Sequence, residues 1–493
     1  MHRLIKESWY EILVTTIYII NFLAIINLIF REKRSIEATV AWVLVLTTAP
    51  AIGCILYIAV GRGISKNNMF KIKEAEDKIL KENIIDTQIK LDRNDNFEPN
   101  LIGYKDMIYA LANSNNSHFT TNNDVEIFPE PNDFFESLLE ELKKAKHHIN
   151  IQFYIFKDDE IGNKIIDILI DKAQNGVEVR LLYDAVGSRL FSDKSIHKLK
   201  KSGVKVGAFF PSFMKVINFN LNYRNHRKIV VIDGNVGFIG GNNIGDEYLG
   251  KDPKFGYWRD THLKITGDSV KDLNIRFILD WRYTTKEDLV LDKYFGNETL
   301  RLSNSKACKD IGIQIVSSGP DSTELDEIKY GYIKMIQKAK KYIYIQTPYF
   351  ILDKTLTDTL KIACFSGVDV RIMIPSKPDH PFVYWASSSY AGELLKYGAK
   401  LYNYDHNAFL HAKTIVVDDC VCSIGTANMD IRSFELNFEI NAFMYSSEVA
   451  KKQRAIFEND ILKSKEITLD MYNSRSRYMR LKESISRLLS PIL

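Results

Sequence analysis

His226-Arg227-Lys228-Ile229-Val230-Val231-Ile232-Asp233 is followed by Gly240, Gly241 and Asn243. The same spacing returns as His411-Ala412-Lys413-Thr414-Ile415-Val416-Val417-Asp418 with Gly425, Thr426 and Asn428. In each copy a histidine and a lysine stand two apart in an apolar run. On a strand, where side chains alternate between faces, both would point the same way. One H-x-K reads as a surface pair, whereas two copies with identical internal spacing read as two halves of one shared site. Displacement at a phosphodiester needs a nucleophile, a proton donor for the leaving oxygen and positive charge around the other oxygens. Two such halves supply all of these without a metal.

The candidate catalytic set is therefore His226, Lys228, Asp233, His411, Lys413 and Asp418, with Asn243 and Asn428 as supporting groups around the phosphate oxygens. Asp233 and Asp418 lie five residues beyond their lysines, an odd offset that turns them to the opposite strand face and assigns them structural pairing. Gly240, Gly241 and Gly425 either let backbone approach the phosphate or make tight strand-end turns. No metal site and no cofactor is expected.

The repeat extends beyond the motif. Ala145-Lys146-His147-His148-Ile149-Asn150-Ile151-Gln152 is echoed by Ala339-Lys340-Lys341-Tyr342-Ile343-Tyr344-Ile345-Gln346, and Gly176-Val177-Glu178-Val179-Arg180 by Gly367-Val368-Asp369-Val370-Arg371. Helices are expected over Phe134–Lys146 and Asn163–Gln174, and strands over Ile149–Phe156 and Val177–Tyr183. This alternation predicts an α/β fold of two homologous lobes, each a mixed, parallel-rich sheet flanked by helices.

These residues resemble the phospholipase D superfamily, whose members build one active site between two such lobes, and more narrowly the bacterial cardiolipin synthases. The narrower likeness rests on Asn225-His226-Arg227-Lys228, on Gly240-Gly241-Asn242-Asn243-Ile244-Gly245-Asp246-Glu247-Tyr248 and on Gln346-Thr347-Pro348-Tyr349-Phe350. It rests also on Gly425 to Glu439 and on the terminal Leu488-Leu489-Ser490-Pro491-Ile492-Leu493. The resemblance implies transfer of a phosphatidyl group from one phosphatidylglycerol to another, through a phosphatidyl-histidine on His226, with His411 serving as acid and then base. It also implies orienting carboxylates at Glu439 and Asp260.

Composition is compatible with that class. The chain has 493 residues, 45% of them hydrophobic, and a net charge of only +4, too small for broad nucleic-acid coating, so no nucleic-acid partner is expected. The five cysteines form no C-x2-C pair and read as reduced thiols. Ile12 to Phe30 and Ala38 to Val60 carry no charged residue, and each is long enough for a bilayer. They predict a transmembrane hairpin, with Pro50 and Gly53 as a kink or packing contact. Arg3, Lys6, Arg62, Lys66, Lys71 and Lys73 on the terminal side outnumber Arg31, Lys33 and Arg34 in the loop. That bias predicts a multi-pass bacterial cell-membrane protein with a cytoplasmic body.

The expected organisation is a hairpin over 1–62, a charged linker or helical segment over 63–123 whose end from Asn113 is loop-like, a first lobe over 124–305 and a second over 306–493. A basic amphipathic tail, Arg475 to Leu489, either lies on anionic lipid or docks on the body. The expected partners are phosphatidylglycerol, other anionic lipids and the bilayer. From the residues alone a lipid hydrolase, a transferase with another acceptor alcohol, a nuclease and a noncatalytic membrane scaffold all stay open.

Overall fold

The apolar runs behind the two motifs become the central strands of two sheets. In the computed structural model, which describes residues 2–30, 36–60, 102–115, 117–211, 223–289, 291–294, 310–320 and 326–490, Ile229–Ile232 and Thr414–Val417 each lie between an antiparallel hairpin partner and a strand of the parallel half. The first sheet runs Asn123–Phe128, His262–Gly267, Val236–Gly240, Ile229–Ile232, His148–Phe153, Glu178–Asp184, Lys205–Phe209. The second repeats that order as Gly312–Ser318, Glu439–Tyr445, Val421–Gly425, Thr414–Val417, Tyr342–Gln346, Asp369–Ile374, Lys400–Asn403, with one added strand at each edge.

The strands are apolar on both faces because both faces are covered. Ile229 and Val231 point into a core shared between the lobes, where they meet Val416, Ile424, Ile440 and Ala442. Val230 and Ile232 point the other way, toward the helices Pro131–Lys144 and Glu160–Gln174. On the second sheet Ile415 and Val417 likewise face outward, against Glu327–Lys338 and Lys354–Phe365. Each fully buried Ile or Val contributes roughly 1.5–3 kcal/mol, so the shared core is what holds the lobes face to face.

The segment before the first lobe departs from expectation. The polar composition of Asn113 to Asn123 predicts loop, yet the helix Lys105–Asn115 runs into this stretch and Phe119–Thr120 is a strand, and both pack on the second sheet. Tyr104, Met107, Ile108 and Leu111, at i, i+3, i+4 and i+7, bury one face of this segment there. Gln314 donates to the Ile108 carbonyl at 3.1 Å. The lysine-rich stretch from Lys66 to about Lys90 lies outside the described residues.

The N-terminal region holds helices His2–Phe30, Ile36–Thr48 and Pro50–Val60. Among the described residues, Trp9–Phe30 is the one helix long and apolar enough to cross a bilayer, and Ala38–Thr48 is apolar but shorter. The second stretch predicts one helix, but it breaks at Ala49 because Pro50 has no N–H to offer the carbonyl of Leu46. The Asn21 side chain replaces that donor, reaching Leu46 O and Pro50 O at 3.0 Å each. Gly53 lets the broken segments stay close, since a Cβ there would meet the Val45 carbonyl oxygen at 2.7 Å.

Candidate active site

Each histidine stands in the lead-in to its strand, not in the strand itself, and that lead-in pairs with the other lobe. His226 N–H donates to Phe438 O at 2.9 Å, and Phe438 N–H returns a bond to Arg224 O at 2.9 Å. His411 N–H donates to Arg259 O at 2.7 Å, and Ala408–Leu410 pairs in parallel with Tyr257–Arg259. The residue after each cross-lobe contact is an acid. The carboxylates are thus exchanged between the lobes: Glu439 Oε2 takes His226 Nδ1 at 2.9 Å, and Asp260 Oδ2 takes His411 Nδ1 at 2.6 Å.

The buried acids remain ionised because cations surround them. Burial works against ionisation of Asp260, but Lys413 and His411 outweigh it and hold its carboxyl below the usual range. Burial opposes Glu439 in the same way, and His226 with Lys228 prevails. Burial also lowers both imidazoles, His411 to about 4, with Lys413 adding to the depression and Asp260 opposing it. The lysines are buried too: Lys228 is pushed down to about 7 and Lys413 to about 8, burial being the first cause in each. Lys228 donates to His226 O at 2.7 Å and Lys413 to His411 O, so each ammonium is tied to the backbone of its own histidine.

His226, His411, Asn243 and Asn428 line one cleft of about 690 Å³. Asn243 is steadied by the N–H of Ile155 at 3.1 Å, whereas the buried Asn428 Oδ1 has no hydrogen-bond partner. Among the aromatic side chains nearby, Tyr154, Tyr349 and His380 line the cleft. Tyr384 does not line it, and its hydroxyl donates to Ser376 O at 3.1 Å. Tyr154 meets the His226 ring edge-on and Trp258 packs on His411 at 5.0 Å between centroids.

Two members of the candidate catalytic set, Asp233 and Asp418, do not line this cleft. Asp233 and Asp418 sit at the far ends of the motif strands, with φ of 54° and 55°. Asp233 accepts the backbone N–H groups of Lys146, His147 and His148, and Asp418 those of Lys340, Lys341 and Tyr342. A Cβ at Gly241 would collide with the Asp260 carboxylate, and one at Gly240 or Gly425 with the neighbouring strand, so close packing of protein requires glycine at these positions.

Sequence reading missed the frame around the histidines. Arg227 binds Asp280 at 2.6 Å and also reaches Glu439 O and Ser318 O across the lobe boundary. Arg259 binds Asp460 of the opposite lobe, at 2.8 Å from Nη2. Gln152 donates to Asp280 and Gln346 to Asp460, each at 2.8 Å. The echo of these glutamines was the available signal. Stranding one charge of such a buried pair costs about 3–5 kcal/mol. Also missed were Asn437, which donates to Glu439 Oε1 at 3.1 Å, and Asp430, which lines the cleft and is pushed up to about 6 by burial.

A duplicated sheet with two histidine–carboxylate pairs meeting in one cleft is the arrangement of the phospholipase D-like proteins. The fold superposes on phosphatidylserine synthase of Haemophilus influenzae with a TM-score of 0.59 at 17% identity, over 79% of this chain and 100% of that one. Residues 138–253 and 332–461 match the family described as cardiolipin synthase, PLD-like domain, and 19–62 match the phospholipase D-nuclease N-terminal family. The chain is 48% identical to the major cardiolipin synthase ClsA of Bacillus subtilis, over 98% of this chain and 99% of that protein. It is also 48% identical to a cardiolipin synthase of Staphylococcus aureus, over 97% and 95%. The chain belongs to the cardiolipin synthase family of phospholipase D-like proteins.

Proposed function

We propose that this chain is a membrane-bound phosphatidyltransferase that joins two phosphatidylglycerol molecules into cardiolipin and releases glycerol. The observation that carries the reading is the pair of imidazoles, each held at Nδ1 by a carboxylate from the opposite lobe and both lining one cleft. Fixing Nδ1 leaves Nε2 of each ring as the nitrogen able to meet a phosphate. His226 Nε2 attacks phosphorus, and the P–O bond to glycerol breaks as His411, protonated once the anionic phosphodiester offsets the burial that otherwise lowers it, gives that oxygen a proton. His411 then takes the proton of a second phosphatidylglycerol's hydroxyl, whose oxygen attacks phosphorus and breaks the P–N bond. No water is consumed.

Lys228 and Lys413 supply the field for the phosphate's negative charge, and Asn243 and Asn428 offer amides at the cleft wall. Arg189, Arg224, Lys254 and Arg432 also line the cleft, which suits two anionic lipids. The lobes are taken as 124–305 and 306–493, with the helix Lys105–Asn115 and strand Phe119–Thr120 serving the second. Residues 1–62 form a two-span anchor that leaves the body in the cytoplasm. Purified protein in phosphatidylglycerol vesicles should yield cardiolipin and glycerol in equal amounts, resolved by mass. Phosphatidic acid as the main product would make it a hydrolase, and no product would defeat the reading.

A further inference from the structure

The tail helix Arg477–Leu489 is mounted with its amphipathic character reversed. Toward the body it turns polar groups: Glu483 and Ser486 are buried, Arg487 binds Glu393 at 2.6 Å and stacks on Tyr390, Lys482 lies over Trp385, and Ser490 meets the Tyr390 hydroxyl at 3.0 Å. Toward solvent it turns Tyr478, Leu481, Ile485 and Leu488, at i, i+3, i+7 and i+10, which are 67%, 57%, 45% and 74% exposed. A water-facing surface helix ordinarily does the opposite.

Docking on the body was one of two sequence readings, and it holds for the polar face alone. We infer that the outward stripe is a bilayer-docking surface that seats the mouth of the catalytic cleft against the lipid headgroups. Three observations select a bilayer as the occupant. The apolar helix Trp9–Phe30 is long enough to cross a membrane and so would keep the body beside one. The tail and the helix it packs on, Pro381–Leu394, are continuous with the cleft, because Ser490, His380 and Val383 line it and the neighbouring Phe382 is 48% exposed. Arg477 and Arg480 border the stripe, the arrangement that favours anionic headgroups.

Since the N-terminal span already tethers the chain, the tail's part is orientation, aiming the cleft at lipid that need not leave the bilayer. The inference rests on the proposal that the substrate is a bilayer phospholipid. The test uses the full chain carrying Leu481→Glu, Ile485→Glu and Leu488→Glu together. Turnover of phosphatidylglycerol in vesicles should fall at least tenfold. Turnover of a short-chain phosphatidylglycerol dispersed below its aggregation limit should stay within twofold of native, with an unchanged melting temperature. Loss in both assays, or in neither, overturns the inference.

A second readout needs no turnover. In the full chain with Ile485→Trp, fluorescence added over the native protein in phosphatidylglycerol vesicles should be quenched by brominated lipid tails and spared by aqueous iodide. Quenching by iodide alone overturns the docking surface. Protection from both quenchers, with a doubled mass in light scattering, would assign the stripe to a second copy and overturn it equally. Native protein that makes no cardiolipin in either assay, while the added indole of the Ile485→Trp chain is still quenched by brominated tails, would defeat the proposed function and leave the docking surface standing.

Discussion

The two halves of the cleft do the same job with unlike parts. His226 leans on a glutamate and has Arg227 beside it, whereas His411 leans on an aspartate and has Ala412. Glu439 is the longer acid, and Asn437 steadies it at Oε1 while Thr426 helps keep it ionised. Asp260 is shorter, occupies the room left by Gly241 and takes the N–H of Thr261 at 2.7 Å. Duplication set the frame, and divergence of the supporting residues made the two imidazoles electrostatically unequal. Unequal imidazoles suit a reaction in which one must bond to phosphorus and the other must move protons.

The sharpest way to break that division is to remove each carboxylate's charge. Glu439→Gln and Asp260→Asn should each lower kcat by about 10²–10⁴-fold, because each imidazole loses both its tautomer and its counter-charge. Their trapped species should differ. On the proposed roles Asp260→Asn cripples His411 both as acid of the first step and as base of the second, so any phosphatidyl adduct found by acid-quenched peptide mapping with labelled phosphatidylglycerol should sit on His226. An adduct on His411 in either variant would reverse the roles.

A smaller effect sharpens the contrast between the lysines. Burial pushes Lys228 down to about 7 and Lys413 to about 8, against roughly 10.4 for a free lysine. Each is cationic below its pKa, and an anionic phosphodiester wants that cation, so kcat/KM should be high on the acid side and decline as pH rises through 7 to 8. Lys228→Arg keeps its charge throughout this range. It should therefore move the alkaline limb up toward the value set by Lys413, whatever it does to the plateau. An unmoved limb would show that Lys228 does not control it.

The smallest effect on turnover is expected where the halves are most alike. Asp233→Ala and Asp418→Ala each release three backbone N–H groups, and each should cost about 1–3 kcal/mol of stability by denaturant melting. Turnover per folded molecule should stay near native. A selective loss of turnover in one of the two would mean that its strand end communicates with the cleft.

The likeness between the halves was legible in the sequence because it is local. Motif spacing, the echo of Ala145–Gln152 in Ala339–Gln346 and the doubly apolar strands each lie within a few residues, and together they give two copies of one sheet. Which acid serves which histidine was not legible. The segments Arg224–His226 and Phe438–Glu439 pair through backbone hydrogen bonds, and these leave no mark on side-chain pattern. Phe119–Thr120 joining the far sheet was hidden for a similar reason, since a two-residue edge strand has no periodicity to read. In the tail, helical period exposed an apolar stripe but not which side the body would claim; Arg487 and Glu393 decide that in three dimensions.

The exchange of carboxylates has a consequence in time. His226 and Glu439 are 213 residues apart, and a ribosome adding roughly 5–20 residues per second needs about 10–40 s to travel between them. Throughout that interval the apolar N-terminal segments have already been made, and the nascent chain carries His226 without its acid and, until His411 is added, without the second imidazole. A polypeptide that stalls or is clipped before Glu439 thus remains inert toward the membrane in which it is being assembled, and the capacity to cut a phospholipid arrives only when the second lobe closes on the first.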